Sequence, residues 1–161
     1  MFHPPHWHHK NIKFPKEEID IVISKLKQVP TLPKTNCFTS FHLNNIHPES
    51  IWYENYSKIL ENILSDIGIG NYKYYYWSQL YIDGSSHGVH NHFPGDDLSF
   101  VHFIQVPNEP LFRFTNTIGD YYIPHQFEGD IICFPSWVWH EVIVNKSNTE
   151  RLIVSGNIKI Q

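Results

Sequence analysis

The chain has 161 residues, 41% of them hydrophobic and 16% aromatic, which provides for one packed core and excludes a disordered chain. Its formal net charge of −4, with no basic stripe, argues against nucleic acid as an electrostatic partner. Cys37 and Cys133 are too few for a disulfide framework or a zinc knuckle, and no apolar run approaches the ~18 residues of a membrane span. The opening residues lack a cationic-then-apolar leader pattern, so a reducing cytoplasm is the expected compartment.

The first seventy residues read as mostly helical. His3, His6, His8 and His9 crowd a Pro-rich start that is expected to be a solvated, mobile tail. A first helix opens near Pro15, carries Glu17 and Glu18 in its first turn, spaces Ile19, Val22, Ile23 and Leu26 along one face, and ends before Pro30. A second opens at Pro48, buries Trp52, Tyr56, Ile59, Leu60, Ile63, Leu64 and Ile67, and is capped by Gly68. From residue 71 onward, short aromatic and β-branched runs alternate with turn residues. Strands are expected near 72–82, 98–106, 111–115, 130–134, 140–145 and 151–159. The fold class is then α+β, mainly β, within one domain: a sandwich, jelly roll or barrel with helices on one face.

Twelve histidines is the unusual count. His90-Asn91-His92 follows a Gly-containing turn, and in an extended segment side chains two apart point the same way, ~6.6 Å apart along the chain. Two imidazoles so placed converge on one metal, with His140 as the expected third ligand, after Gly129-Asp130 and Phe134-Pro135-Ser136-Trp137. Imidazole suits iron, zinc, copper and nickel alike. A hairpin joining 140–145 to 151–157 would put Arg151 about opposite Val144 and Ser155 about opposite His140. One face would then carry His140 beside Arg151, Ile153, Ser155 and Asn157. A buried arginine needs an anion, and a dicarboxylate chelating the metal would reach it. Gln79 and Tyr81, on the strand leading to the site, are candidates to bind the same molecule. His87 either lines the entrance or is a plain loop residue, and Trp139 faces away from the metal.

Over residues 72–160 this pattern resembles the 2-oxoglutarate- and iron(II)-dependent oxygenases, especially their small bacterial and phage members. The matching residues are Gly84, His90-x-His92, Leu98-Ser99-Phe100-Val101, Gly129-Asp130, Phe134-Pro135-Ser136-Trp137, His140, Arg151 and Asn157. The resemblance implies a double-stranded β-helix. It implies Fe(II) on His90, His92 and His140, and 2-oxoglutarate with its far carboxylate on Arg151. It also implies O2-dependent oxidation of the cosubstrate to succinate and CO2, coupled to hydroxylation of a small molecule or peptide side chain. Most of that family has Asp or Glu where this chain has His92; Asp96 or Asp97 would supply the carboxylate if their loop folds back, and either is otherwise a solvated loop residue. Two other readings remain open. A cupin-type metalloprotein that does not use 2-oxoglutarate would share the architecture but leave Arg151 without a role. A non-enzymatic metal-binding barrel would use its aromatic runs for contacts. The sequence leaves oligomeric state open.

Overall fold

The computed structural model describes residues 1–161. In chain order it contains β1 (Trp7–His9), α1 (Lys16–Leu26), β2 (Cys37–Thr39), a 3-10 turn (Pro48–Trp52), α2 (Tyr53–Asp66), β3 (Tyr72–Tyr81), β4 (His87–His90), β5 (Leu98–Gln105), β6 (Phe112–Thr115), β7 (Tyr121–Tyr122), β8 (Ile131–Pro135), β9 (His140–Val142) and β10 (Arg151–Ile160). Two antiparallel sheets face each other. One has the order β1-β8-β5-β10-β3-β2 and the other β4-β9-β6-β7. No helix is long and apolar enough to cross a membrane.

Strand alternation divides the apolar residues into two cores. Even-numbered positions of β10, Leu152, Val154 and Ile158, join Leu80, Leu98, Phe100 and Ile104 against the helices' Val22, Leu26, Tyr56, Leu60 and Leu64. The odd-numbered Ile153 joins Val101, Phe103, Ile132 and Phe134 on the opposite face, where they meet Phe112, Phe114 and Val142 of the smaller sheet. The helices thus close one side of the large sheet and leave its other side to form the site.

Gly156 interrupts the helix-facing row of β10 for a steric reason. A Cβ there would fall 2.3 Å from Phe100 Cε1 and 2.7 Å from the Tyr75 carbonyl oxygen. The backbone oxygen cannot swing away, so Gly156→Ala is expected to destabilise the protein by about 1–3 kcal/mol, read as a lower denaturation midpoint. Gly70→Ala, which meets nothing within 4 Å, serves as the control.

The helix-facing side also buries one polar row. His102 is fully buried, with Nδ1 2.7 Å from the Tyr56 hydroxyl and Nε2 2.7 Å from the Ile12 carbonyl oxygen. The neutral ring satisfies both contacts, with Nε2–H donating to the carbonyl and Tyr56 O–H donating to Nδ1. Burial pushes its pKa down to about 4, below the ordinary value of 6.5. A histidine lowered on folding binds its proton more readily when unfolded. Its contribution is therefore full above about pH 6.5 and disappears as pH falls to about 4, a loss on the order of 3 kcal/mol. Melting curves across that window should show the decline, and His102→Gln should make it shallower, the remainder coming from His87, His92 and His140, which burial lowers in the same direction.

Several expectations change in the folded chain. The His-rich start is not a frayed tail. Trp7–His9 pairs with β8, Trp7 packs on the helix-side core, and the rings of His3 and His6 lie 4.4 and 5.5 Å from Tyr122. The first seventy residues therefore hold two short strands as well as helices. The strand expected over 140–145 stops at Val142, and β4 and β7 are additional. The 140–157 hairpin does not form, because β9 and β10 lie in different sheets and residues 143–150 cross between them. Ser155 is consequently opposite Trp77 and Val101, not His140, and Arg151 is opposite Tyr81, not Val144. The inward face of β10 survives the change of partner, because alternation belongs to the strand itself.

Candidate metal and anion site

His90 ends β4 and His140 begins β9, and the two are direct partners in the ladder. Their rings are 4.3 Å apart, centre to centre. His92 lies beyond the strand, where its backbone N–H donates to the Ser136 carbonyl at 2.9 Å. The Ser136 N–H donates to Asp97 O at 3.0 Å, and its hydroxyl donates to the Asp96 carbonyl. The Phe134-Pro135-Ser136-Trp137 turn therefore holds the loop that carries His92. As a result, one nitrogen from each of His90, His92 and His140 lies within 4.8 Å of the others.

The hydrogen bonds set two of the tautomers. His90 Nδ1 is 2.7 Å from the Gly88 carbonyl and His140 Nδ1 is 3.0 Å from the Val138 carbonyl. A carbonyl accepts only, so Nδ1 carries the proton in each ring and Nε2 presents its lone pair. Fixing the far nitrogen in this way orients a metal-binding imidazole. His92 has a different neighbour, with Nδ1 3.4 Å from the Asn157 amide nitrogen. Burial, reinforced by neighbouring rings, lowers the pKa of His92 to about 4 and that of His140 well below 6.5; burial also lowers His90. All three are neutral donors at physiological pH.

Neither Asp96 nor Asp97 belongs to this group. Asp96 accepts the Tyr75 hydroxyl at 2.8 Å, and Asp97 accepts the Ile160 N–H at 2.8 Å while lying 3.7 Å from Lys159 Nζ. The carboxylate that the loop might have supplied is committed elsewhere. The donor set is three imidazoles.

A cavity of about 320 Å3 adjoins the triad, lined among others by Gln79, Tyr81, His87, Ser155 and Asn157. The Tyr81 hydroxyl donates to Gln79 Oε1 at 3.2 Å. Asn157 is already engaged: its Oδ1 accepts from Ser99 at 2.8 Å and its Nδ2 donates to the Tyr75 hydroxyl at 2.8 Å. Ser99 and Asn157, distant in sequence, are thus one cross-strand pair.

Arg151 is 1% exposed, and none of its three guanidinium nitrogens has a hydrogen-bond partner. It stacks 4.8 Å over the Tyr81 ring and 5.6 Å from Phe103. Tyr81, its partner across the ladder, and Ile153, two residues along β10, line the cavity, whereas Arg151 itself is not among the lining residues. Burial lowers its pKa to about 10, so it stays charged at neutral pH. A buried cation without a charged partner leaves a demand for an anion unmet.

Sequence reasoning missed two neighbours of the triad. Tyr75 links Asp96 to Asn157, and Trp77 lies 6.4 Å from His92, ring to ring; both lie in the aromatic start of the strand expected near 72–82. Their alternation with Gln79 and Tyr81 along β3 was the available signal. His87 stacks on His90 at 4.1 Å and lines the cavity, so it is not a plain loop residue. Trp139 is 40% exposed, as expected for a residue facing away.

No family model matches the sequence, and no curated protein matches it. Solved structures do match in fold. A prolyl-4-hydroxylase of Pseudomonas putida superposes with a TM-score of 0.68 at 15% identity, covering 97% of this chain and 92% of that one. The viral collagen prolyl hydroxylase of Paramecium Bursaria Chlorella virus-1, in its 2-oxoglutarate complex, gives 0.61 at 15% identity over 97% and 96%. HygX of Streptomyces hygroscopicus, with nickel and 2-oxoglutarate bound, gives 0.68 at 10% identity over 97% and 83%. The architecture is accordingly the double-stranded β-helix, or jelly roll, that these oxygenase structures share.

Proposed function

We propose that this protein is an Fe(II)- and 2-oxoglutarate-dependent oxygenase acting on a small molecule or a peptide side chain. The observation that carries the reading is the pairing of a neutral three-histidine centre with a buried, unpartnered guanidinium beside one cavity. His90, His92 and His140 would hold the metal, and three ligands leave positions for a chelating keto-acid and O2. Arg151 would receive the cosubstrate's far carboxylate, since its planar fork matches that group. Tyr81 and Gln79 line the cavity between them, and Ser155 offers a hydroxyl on the same wall. Asn157 would orient the His92 ring, its Nδ2 lying 3.4 Å from His92 Nδ1 with a second amide hydrogen beside the one given to Tyr75. When bound, the iron and cosubstrate together supply O2-dependent oxidation of a C–H bond, with succinate and CO2 as coproducts.

The chain's own contribution is placement. Carbonyls of Gly88 and Val138 hold two imidazole protons away from the centre. The aromatic walls from Phe112, Phe134 and Trp77 keep the site dry, which strengthens the attraction between guanidinium and carboxylate. A cupin-type metalloprotein that does not use 2-oxoglutarate would share the architecture, and the role of Arg151 separates the two. The test is anaerobic addition of Fe(II) and then 2-oxoglutarate. A weak visible charge-transfer band in the wild type, absent in Arg151→Ala, supports the proposal, as does succinate formed in air. No band together with no succinate overturns it.

A further inference from the structure

A second group of metal-type donors lies away from the triad. His8 of β1, His125 of the segment following β7, and Asp130 just before β8 each place a donor atom within 4.8 Å of the other two. Asp130 and Pro135 bracket β8, about 16 Å of strand apart, and it is the Pro135-Ser136 end that holds His92. The two groups therefore occupy opposite ends of the same strand.

Asp130 is 3% exposed. Its Oδ2 accepts from the Phe127 N–H at 2.8 Å and from His125 Nδ1 at 2.8 Å. It also lies 3.2 Å from His8 Nε2. Yet that nitrogen is buried and has no hydrogen-bond partner, so the nearby oxygen is off the axis of its N–H or lone pair. An ordinary His-Asp-His hydrogen-bond chain does not explain this geometry, because it leaves a buried ring nitrogen unsatisfied, at about 1–3 kcal/mol. Two ligands of one ion do explain it. With metal bonds of about 2.1 Å in a tetrahedral arrangement, donors sit about 3.4 Å apart and point at the ion, not at each other. The two rings also converge as the triad's rings do: His8 and His125 are 5.1 Å apart at 62°, and His90 and His92 are 5.2 Å apart at 81°.

We propose that His8, His125 and Asp130 form a structural site for one divalent transition ion of the Zn(II) type. His8 Nε2, His125 Nδ1 and the Asp130 carboxylate are its ligands, and water takes the fourth position on the exposed side of His125. Two imidazoles and one carboxylate favour such an ion over Ca2+ or Mg2+, which require mostly oxygen ligands. On binding, the His125 proton moves from Nδ1 to Nε2, and the ring exchanges its bond to Asp130 for one to the ion. The ion ties edge strand β1 to the 123–130 segment, closing the free end of the large sheet. This site is independent of the oxygenase reading.

The test titrates the full chain with Zn(II) by calorimetry, with His90→Ala/His140→Ala removing the triad. The wild type is expected to take up one ion at each donor group, two in all. The triad variant should retain one ion and gain melting temperature on binding it. Adding His125→Ala should abolish both the ion and the gain. His125 is an exposed side chain, so this change removes its contacts with Phe127 and Asp130 but opens no core cavity, and His3, His6 and His9 remain in place. Binding that persists in the His125→Ala variant would assign the ion to the histidine-rich start and overturn the proposal, as would a folded triad variant that takes up no ion. If the triad variant does not fold, His125→Ala alone should reduce the wild-type stoichiometry by one.

Discussion

Arg151→Met is expected to raise the melting temperature of the ligand-free protein and to weaken 2-oxoglutarate binding by about 30-fold or more. The two effects have opposite signs for one physical reason. The guanidinium is 1% exposed and makes no hydrogen bond, so folding removes it from water without replacement. Methionine of similar length fills the space over Tyr81 and Phe103 without that cost. Replacing buried charge by apolar volume gains about 1–4 kcal/mol in comparable sites. The anion, in contrast, loses its only buried cationic partner. Truncating one member of a buried, hydrogen-bonded charge pair costs about 2–5 kcal/mol, which is on the order of 30- to 5,000-fold in affinity. Calorimetry with 2-oxoglutarate and a thermal melt on the same sample would check both halves. A variant that melts lower, or that binds 2-oxoglutarate as the wild type does, contradicts the anion-receptor role. A purely structural arginine would give lower stability without a change in ligand affinity.

His90→Ala is expected to weaken metal binding by about 100-fold or more while changing apo stability little. The ring is half-buried and its loss opens no sealed cavity. Disturbing groups that merely orient metal ligands already costs about 10- to 100-fold, and the loss of a ligand exceeds that. Equilibrium dialysis against Fe(II) under argon would report the change, with circular dichroism as the folding control. Unchanged affinity would remove His90 from the centre. His140→Ala should weaken binding similarly, but it is a poorer probe, because His140 is buried against Phe112 and Phe134 and its removal also disturbs packing.

Local chemistry made much of this protein legible in its sequence. The periodicity of Ile19, Val22, Ile23 and Leu26, and of Tyr56, Leu60, Ile63 and Leu64, places both helices, because a 3.6-residue repeat has one buried face. Alternation along 72–81 and 151–160 places two long strands and puts Arg151, Ser155 and Asn157 on one side, whatever their partners. The pairing of His90 with His92 in the sequence points to one centre, although His92 lies beyond the strand and is held there by Ser136.

Partnership was decided only by the tertiary structure. Turn-like residues 146–149 are compatible with a hairpin, but Ile153 and Val142 each need a facing sheet to bury against, so the chain crosses over and His140 pairs with His90. Whether the loop after His92 would bring a carboxylate to the metal depended on Tyr75 and the Ile160 N–H, remote groups that claim Asp96 and Asp97. The histidine-rich start read as solvated because nothing local orders it; the free edge of β8 does so from more than a hundred residues away. Residue types and periods are carried along the chain. Which polar group meets which is set by how two sheets close on one another.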